Sequence, residues 1–306
     1  MLQVEGVRRS FGDRLVLDDV GFSVERGRLT GFVGGNGAGK TTTMRIILGV
    51  LAADAGRLTL DGAELGADQR RDFGYMPEER GLYPKMRVAD QIAYLARLHG
   101  LDRADADRRA RSLLDRLGLA ERADEPVEQL SLGNQQRAQI AAALVHDPAV
   151  LILDEPFSGL DPMAVDVVVG VLAEYAASGV PVLFSSHQLD VVERLCDDLV
   201  IIADGTIRAA GPRDALREAY GETRYEIVTG GDVGWLRSVP GIEVAEFDGG
   251  YAIFSADDEA AAQAVLRQAL DRAPVSAFGP VRPKLAEIFR EVVGSDTSPT
   301  TVEPVR

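Results

Sequence analysis

Cysteine is almost missing from this 306-residue chain: Cys196 stands alone, which excludes an internal disulfide and any paired-cysteine metal site. A small, buried apolar residue is the reading that position invites. Lysine is scarce too. Lys40, Lys85 and Lys284 are the only three among 33 basic residues, a skew that codon bias explains but that makes each compact ammonium worth asking about, since an arginine fork does not replace it everywhere. No run of eighteen apolar residues occurs, and the N-terminus MLQVEGVRRSFG lacks the apolar stretch of a signal peptide. The chain is therefore expected to be cytosolic and not to span a membrane. Basic charge is in deficit as well, with 48 acidic residues against 33 basic and a formal net charge of −15. That balance works against a nonspecific hold on nucleic acid or anionic lipid. Any link to a membrane is expected to run through a protein partner.

What is present is apolar material enough, at 46%, for one large core and a second small domain. Residues 1 to 33 alternate short apolar stretches with Gly and Asp turns, predicting strands and hairpins that lead to a buried strand ending at a glycine-rich turn. A helix is predicted from Thr41 to about Val50, a strand and turn at RLTLDGAEL, and helices with charged outer faces over 88–118. These and the helix after Ser131 make a helical insert over about 80–146. AVLILDEP and PVLFSSH read as strands buried on both faces, separated by a helix over 162–178, and DVVERLCDDLVIIADGTIRAAG as a helix followed by a strand hairpin. Strands alternating with helices predict an α/β layer around a mainly parallel sheet. From Tyr225 the order β-α-β-β-α-β plus one more helix predicts a small α+β, ferredoxin-like sandwich. The expected domains are 1–218 and 222–293, with a polar, Pro/Thr-rich disordered tail over 294–306.

Residues 34 to 41, GGNGAGKT, match G-x-x-x-x-G-K-[ST] between a predicted strand and helix, the context that marks a phosphate-binding loop. Its glycines let backbone N–H groups converge on phosphate oxygens, Lys40 reaches the β and γ phosphates, and Thr41 can hold Mg²⁺. The buried strand in AVLILDEP ends in Asp154 and Glu155, at the edge where open α/β sheets place ligands. Asp154 suits Mg²⁺, and Glu155 can orient and activate a water at the γ phosphate. A guanine nucleotide is disfavoured, because no NKxD-type base-reading motif is present.

At this point residues 2 to 218 resemble the ATP-binding subunit of an ABC (ATP-binding cassette) transporter. GGNGAGKTT, covering Gly34, Gly35, Asn36, Gly37, Ala38, Gly39, Lys40, Thr41 and Thr42, looks like its Walker A, and LILDEP like its Walker B. LSLGNQQ resembles the signature motif through Ser131, Gly133 and Asn134, SGLD ending at Asp161 the D-loop, and SSH ending at His187 the switch histidine. The resemblance implies ATP and Mg²⁺ as ligands, Glu155 and His187 as catalytic residues, and a dimer in which Ser131 and Gly133 close over the nucleotide held by the partner's Walker A. It also implies a separate transmembrane permease subunit and a place at the cytoplasmic face of the membrane. Homodimer and heterodimer with a related ATPase both stay open. Phe11 lies where the family stacks an aromatic on adenine, and a turn phenylalanine covering the core is the competing reading. The C-terminal module resembles the accessory domain of some exporter-type ATPases.

Four positions depart from the family pattern. Gly35 replaces the usual proline, which should loosen the loop's entry. Glu78 stands where a glutamine usually touches Mg²⁺, adding negative charge beside the triphosphate. Leu132 replaces a signature glycine and Asn134 a signature glutamine, while Ser131 remains a good helix N-cap whether or not it meets a phosphate. A soluble relative acting on nucleic acid or the ribosome is the alternative, yet one P-loop, no sustained heptads and the acidic charge disfavour it. A regulatory module without turnover is disfavoured by the intact Glu155 and His187.

Overall fold

The strands Leu29–Val33, Val150–Leu153 and Val182–Ser186 are mostly Val, Ile, Leu and Phe, and every residue in them is buried, Thr30, Gly31, Ser185 and Ser186 included. Such strands can only lie inside a sheet covered on both faces. The computed structural model describes residues 1–79, 81–220, 224–281, 284–294 and 300–301. Its central sheet runs, in spatial order, Thr300–Thr301, Thr206–Pro212, Asp198–Ala203, Leu29–Val33, Val182–Ser186, Val150–Leu153 and Phe73–Met76. Neighbours pair in parallel except for the hairpin between Asp198–Ala203 and Thr206–Pro212. Because three adjacent parallel strands end side by side, the residues after Val33, Leu153 and Ser186 are gathered at one edge.

A second, antiparallel sheet carries Arg14–Val24, Leu2–Phe11, Ala55–Leu60 and Ala63–Glu64 in that order, and its inward residues Leu2, Val4, Leu17 and Val24 share a core with Phe32, Ile152 and Leu183. Helix Lys40–Ile47 follows the glycine-rich turn, and Pro162–Ala177 starts with proline at its first turn behind an Asp161 cap. The helical insert consists of Val88–Leu98, Arg103–Arg116 and Leu132–Leu144. The edge strand Phe73–Met76 has no counterpart in the sequence reading. Four residues with a glycine among them show neither alternation nor a long apolar run.

At the end of Leu132–Leu144, His146 stacks on His99 with ring centroids 3.7 Å apart, and its Nε2 lies 3.3 Å from the Phe73 carbonyl oxygen. Burial, with the neighbouring His99, pushes its pKa down from 6.5 to about 4, against the opposing pull of Asp72 and Asp147. The unfolded chain therefore takes up a proton that the folded one refuses as pH falls from 6.5 towards 4, and stability falls with it. His146→Gln is expected to flatten the fall of the thermal midpoint across that window, read by unfolding at a series of pH values.

The described residues fall into two compact units: Met1–Arg213, to which Thr300 and Thr301 belong, and a second beginning at Asp214. Helix Arg213–Tyr220 straddles this division, and the domain end expected at 218 falls inside it. The second unit has an antiparallel sheet ordered Ile242–Asp248, Tyr251–Ala256, Arg224–Thr229 and Val275–Val281, backed by Glu259–Leu270. Ile227, Ala252 and Phe254 from the sheet pack with Ala262, Val265 and Ala269 from that helix. The first crossover differs from the α-helix expected at DVGWLRSV. It is a single 3-10 turn, Gly234–Ser238, since Gly230 and Gly231 before it and Pro240 after it leave no room for a longer helix. Of the tail expected over 294–306, Gly294 closes a helix and Thr300–Thr301 pair with Ala209 and Ala210; the rest lies outside the described residues.

Candidate functional site

Chain geometry alone demands glycine in the loop after Val33. Gly37 and Gly39 have φ of +77° and +111°, in the left-handed region that costs other residues energy. A Cβ on Gly34 would come within 2.4 Å of the Ile202 carbonyl oxygen. Gly35 has open space around it, so nothing packs against the position where proline is usual. Its carbonyl is nonetheless held, accepting from Ala38 N–H at 3.2 Å and from Lys40 Nζ at 3.2 Å. Lys40 also donates to the Gly34 carbonyl at 2.7 Å, so the buried ammonium is fixed beneath the loop it serves.

The edge formed by the neighbouring strands completes the site. Thr41 Oγ1 donates to Asp154 Oδ2 at 2.9 Å, and Ser185 Oγ donates to Asp154 Oδ1 at 2.5 Å. The same Ser185 oxygen accepts the Glu155 N–H at 2.9 Å, so one hydroxyl sets both carboxylate-bearing residues. Glu155 has φ of +52°, uncommon for a residue with a side chain, and its carbonyl accepts from Gln136 Nε2 at 2.9 Å. With its backbone pinned on both sides, the buried Glu155 carboxylate places Oε2 2.9 Å from His187 Nδ1.

These groups border a cavity of about 430 Å³ lined by Phe11, Arg14, Val16, Gly35, Asn36, Gly37, Ala38, Gly39, Lys40, Thr41, Thr42, Glu78, Asp154 and Glu155. Phe11 is 49% exposed, with the Arg9 guanidinium 4.9 Å from its ring centre. It faces the cavity and water, not the core. His187 joins the group through Glu155. Ser131, Gly133, Asn134 and Asp161 do not line this cavity. Ser131 caps Leu132–Leu144, its Oγ accepting the Asn134 N–H at 3.3 Å, and Asn134 accepts from Arg137. Asp161 caps the next helix by accepting the Ala164 N–H at 2.8 Å. Ser185 and Gln136 escape the sequence reading of the site because their partners lie far along the chain, and Arg14 and Val16, which only line the cavity, carry no motif.

The cavity offers a cradle of backbone N–H groups, one buried ammonium and a set of hard oxygens. Among the described residues no three His, Cys, Asp or Glu side chains are placed to hold a metal ion unaided. Thr41 and Asp154 nevertheless present adjoining oxygens, with the Glu78 carboxylate on the same cavity. Such a sparse donor set fits Mg²⁺, which keeps waters and takes phosphate oxygens from its nucleotide.

A glycine-rich loop leading from a buried parallel strand into a helix, with an acidic pair ending a neighbouring strand, defines a P-loop nucleoside-triphosphatase. A family model described as ABC transporter matches residues 17–158, and one described as ATP-binding protein DrrA1-3-like, C-terminal domain, matches 211–293. The ABC transporter ATP-binding protein YhaQ of Bacillus subtilis is 36% identical over 96% of this chain and 99% of its own. The Nod factor export ATP-binding protein I of Ralstonia nicotianae is 37% identical, over 78% of this chain and 75% of its own. A solved ATP-binding subunit of an ABC transporter has a TM-score of 0.66 and 35% identity, covering 72% of this chain and 93% of that one. The chain belongs to the ATP-binding subunits of ABC transporters.

Proposed function

We propose that this chain binds ATP with Mg²⁺ and hydrolyses it as one of two ATPase subunits, driving export through a separate transmembrane permease subunit. The observation that carries the reading is the joined set Thr41–Asp154–Ser185–Glu155–His187 at the cavity that also contains Lys40. Backbone N–H groups of Gly35 to Thr42 and the Lys40 ammonium bind the phosphates, and Phe11 stacks on the adenine. Thr41, Asp154 and Glu78 would hold Mg²⁺, which would supply neutralisation of phosphate charge. Glu155 orients and deprotonates the attacking water, and His187 fixes the Glu155 carboxylate.

Ser131, Gly133, Asn134 and Asp161 lie outside the cavity of their own chain, which supports giving them to the nucleotide of a second subunit. Ser131 at a helix start serves an anion as well as it serves an orphan N–H. Among the described residues no helix is long and apolar enough to cross a membrane, so the transport path is assigned to another chain. The subunit then sits at the cytoplasmic face through that partner. The relative named for Nod factor export supports the outward direction. The formal charge of −15 speaks against nucleic acid as the partner. In the test, the tagged chain is recovered from gently solubilised membranes of its native cells. A polytopic membrane protein in stoichiometric amount is expected, and recovery on ribosomes or nucleic acid instead would overturn the proposal.

A further inference from the structure

We infer that Gln139 is a positioning residue for Glu78, fixing the backbone on both sides of that carboxylate and so setting where it stands at the nucleotide cavity. The inference rests on the proposed metal-facing role of Glu78. Gln139 lies inside the helix Leu132–Leu144 and is 4% exposed. Its Nε2 donates to the Pro77 carbonyl at 2.8 Å and to the Glu79 carbonyl at 3.2 Å. These two carbonyls flank Glu78, whose own side chain is exposed on the cavity.

The loop needs such a fastening. It follows the edge strand Phe73–Met76, which pairs on one side only, with Val150–Leu153. At the last paired residue the Met76 carbonyl accepts the Asp154 N–H at 2.8 Å, and from there the backbone enters an exposed bend. The Gln139 amide is the next fixed point. It is also an expensive choice for a buried helix face, since its Oε1 has no partner among the described residues. Leucine or methionine would fill the same space with no orphaned oxygen, so the value of glutamine here lies in its two N–H donors.

One turn earlier on the helix, Gln136 holds the Glu155 carbonyl at 2.9 Å. A single helix that starts at Ser131 thus grips the backbone at two acidic residues of the nucleotide cavity. Gln136 reaches the carbonyl of the acidic residue itself, whereas Gln139 reaches the carbonyls before and after one. The second arrangement fixes the direction of the intervening Cα–Cβ bond.

The test uses the full chain, the non-hydrolysable nucleotide AMP-PNP and Mn²⁺ as the probe, with free Mn²⁺ read by electron paramagnetic resonance. Glu78→Ala and Gln139→Met are each expected to weaken Mn²⁺ binding by about tenfold, the scale of one well-made polar contact. The double variant is expected to be no weaker than Glu78→Ala alone, and Gln139→Met by itself is expected to keep the wild-type affinity for metal-free nucleotide. Equal weakening by Gln139→Met in both backgrounds would overturn the inference, as would wild-type Mn²⁺ affinity in Gln139→Met beside a weakened Glu78→Ala. If Glu78→Ala itself keeps wild-type affinity, the metal-facing reading of Glu78 fails and the inference falls with it. Should Gln139→Met lose its cooperative thermal transition, Gln139→Asn, which keeps the amide but shortens its reach, takes its place in the same comparison.

Discussion

Lys40→Ala is expected to abolish measurable ATP turnover and to weaken ATP binding by about a thousandfold. A unit charge pair about 4 Å apart is worth about 4 kcal/mol at an effective dielectric constant near 20, which is close to three decades in affinity. Truncation also frees the Gly34 and Gly35 carbonyls, which the ammonium holds at 2.7 and 3.2 Å, so the loop loses its fastening along with its charge. Lys40→Arg is expected to fail nearly as badly. The planar fork keeps the charge but cannot occupy a buried slot shaped for a compact ammonium. Fluorescent-nucleotide titration and phosphate release check both variants, and wild-type hydrolysis in Lys40→Ala would refute the site.

Glu155→Gln is the second large effect and separates binding from chemistry. The substitution keeps size and shape, and the backbone at 155 stays pinned by Ser185 and Gln136. ATP affinity is expected to stay within about twofold of wild type. Turnover is expected to fall by about 100- to 10,000-fold, the range typical for loss of a positioned general base. Subunits carrying ATP that they cannot cleave are expected to accumulate as a dimer in gel filtration. Adding Ser131→Ala to this variant is expected to return it to monomer, because the helix start then offers the second nucleotide no hydroxyl. A dimer that survives both substitutions would leave Ser131 as a helix cap alone.

Much of this site was legible because its parts are local. A glycine-rich loop, a buried strand ending in two carboxylates and a strand ending in histidine each carry their chemistry within ten residues. What joins them was not legible. Ser185 meets Asp154 only because Val182–Ser186 and Val150–Leu153 are neighbours in the sheet, and Gln136 meets Glu155 only because a helix of the insert packs near that edge. Nothing in SSH or LSLGNQQ distinguishes the polar residue that points to a neighbour from the one that points to water. The strand Phe73–Met76 was hidden for a related reason. An edge strand of four residues takes its shape from the single partner it pairs with, and FGYM carries no periodicity of its own. In the second unit, strand order was readable from the pattern, whereas the 3-10 turn at Gly234–Ser238 reflects a short span between glycines and proline.

The two central residues of the signature stretch differ in their freedom to drift. Leu132 is 58% exposed, so its side chain displaces only water, and the usual glycine could be lost without cost to its own subunit. A Cβ on Gly133 would come 3.1 Å from the Gly159 carbonyl oxygen in the loop that leads to Asp161. That glycine is kept by a neighbour within the same chain, whatever it also touches across a dimer. The loss of the glycine at 132 is then no sign of decay, because it falls at a position where folding exerts no veto.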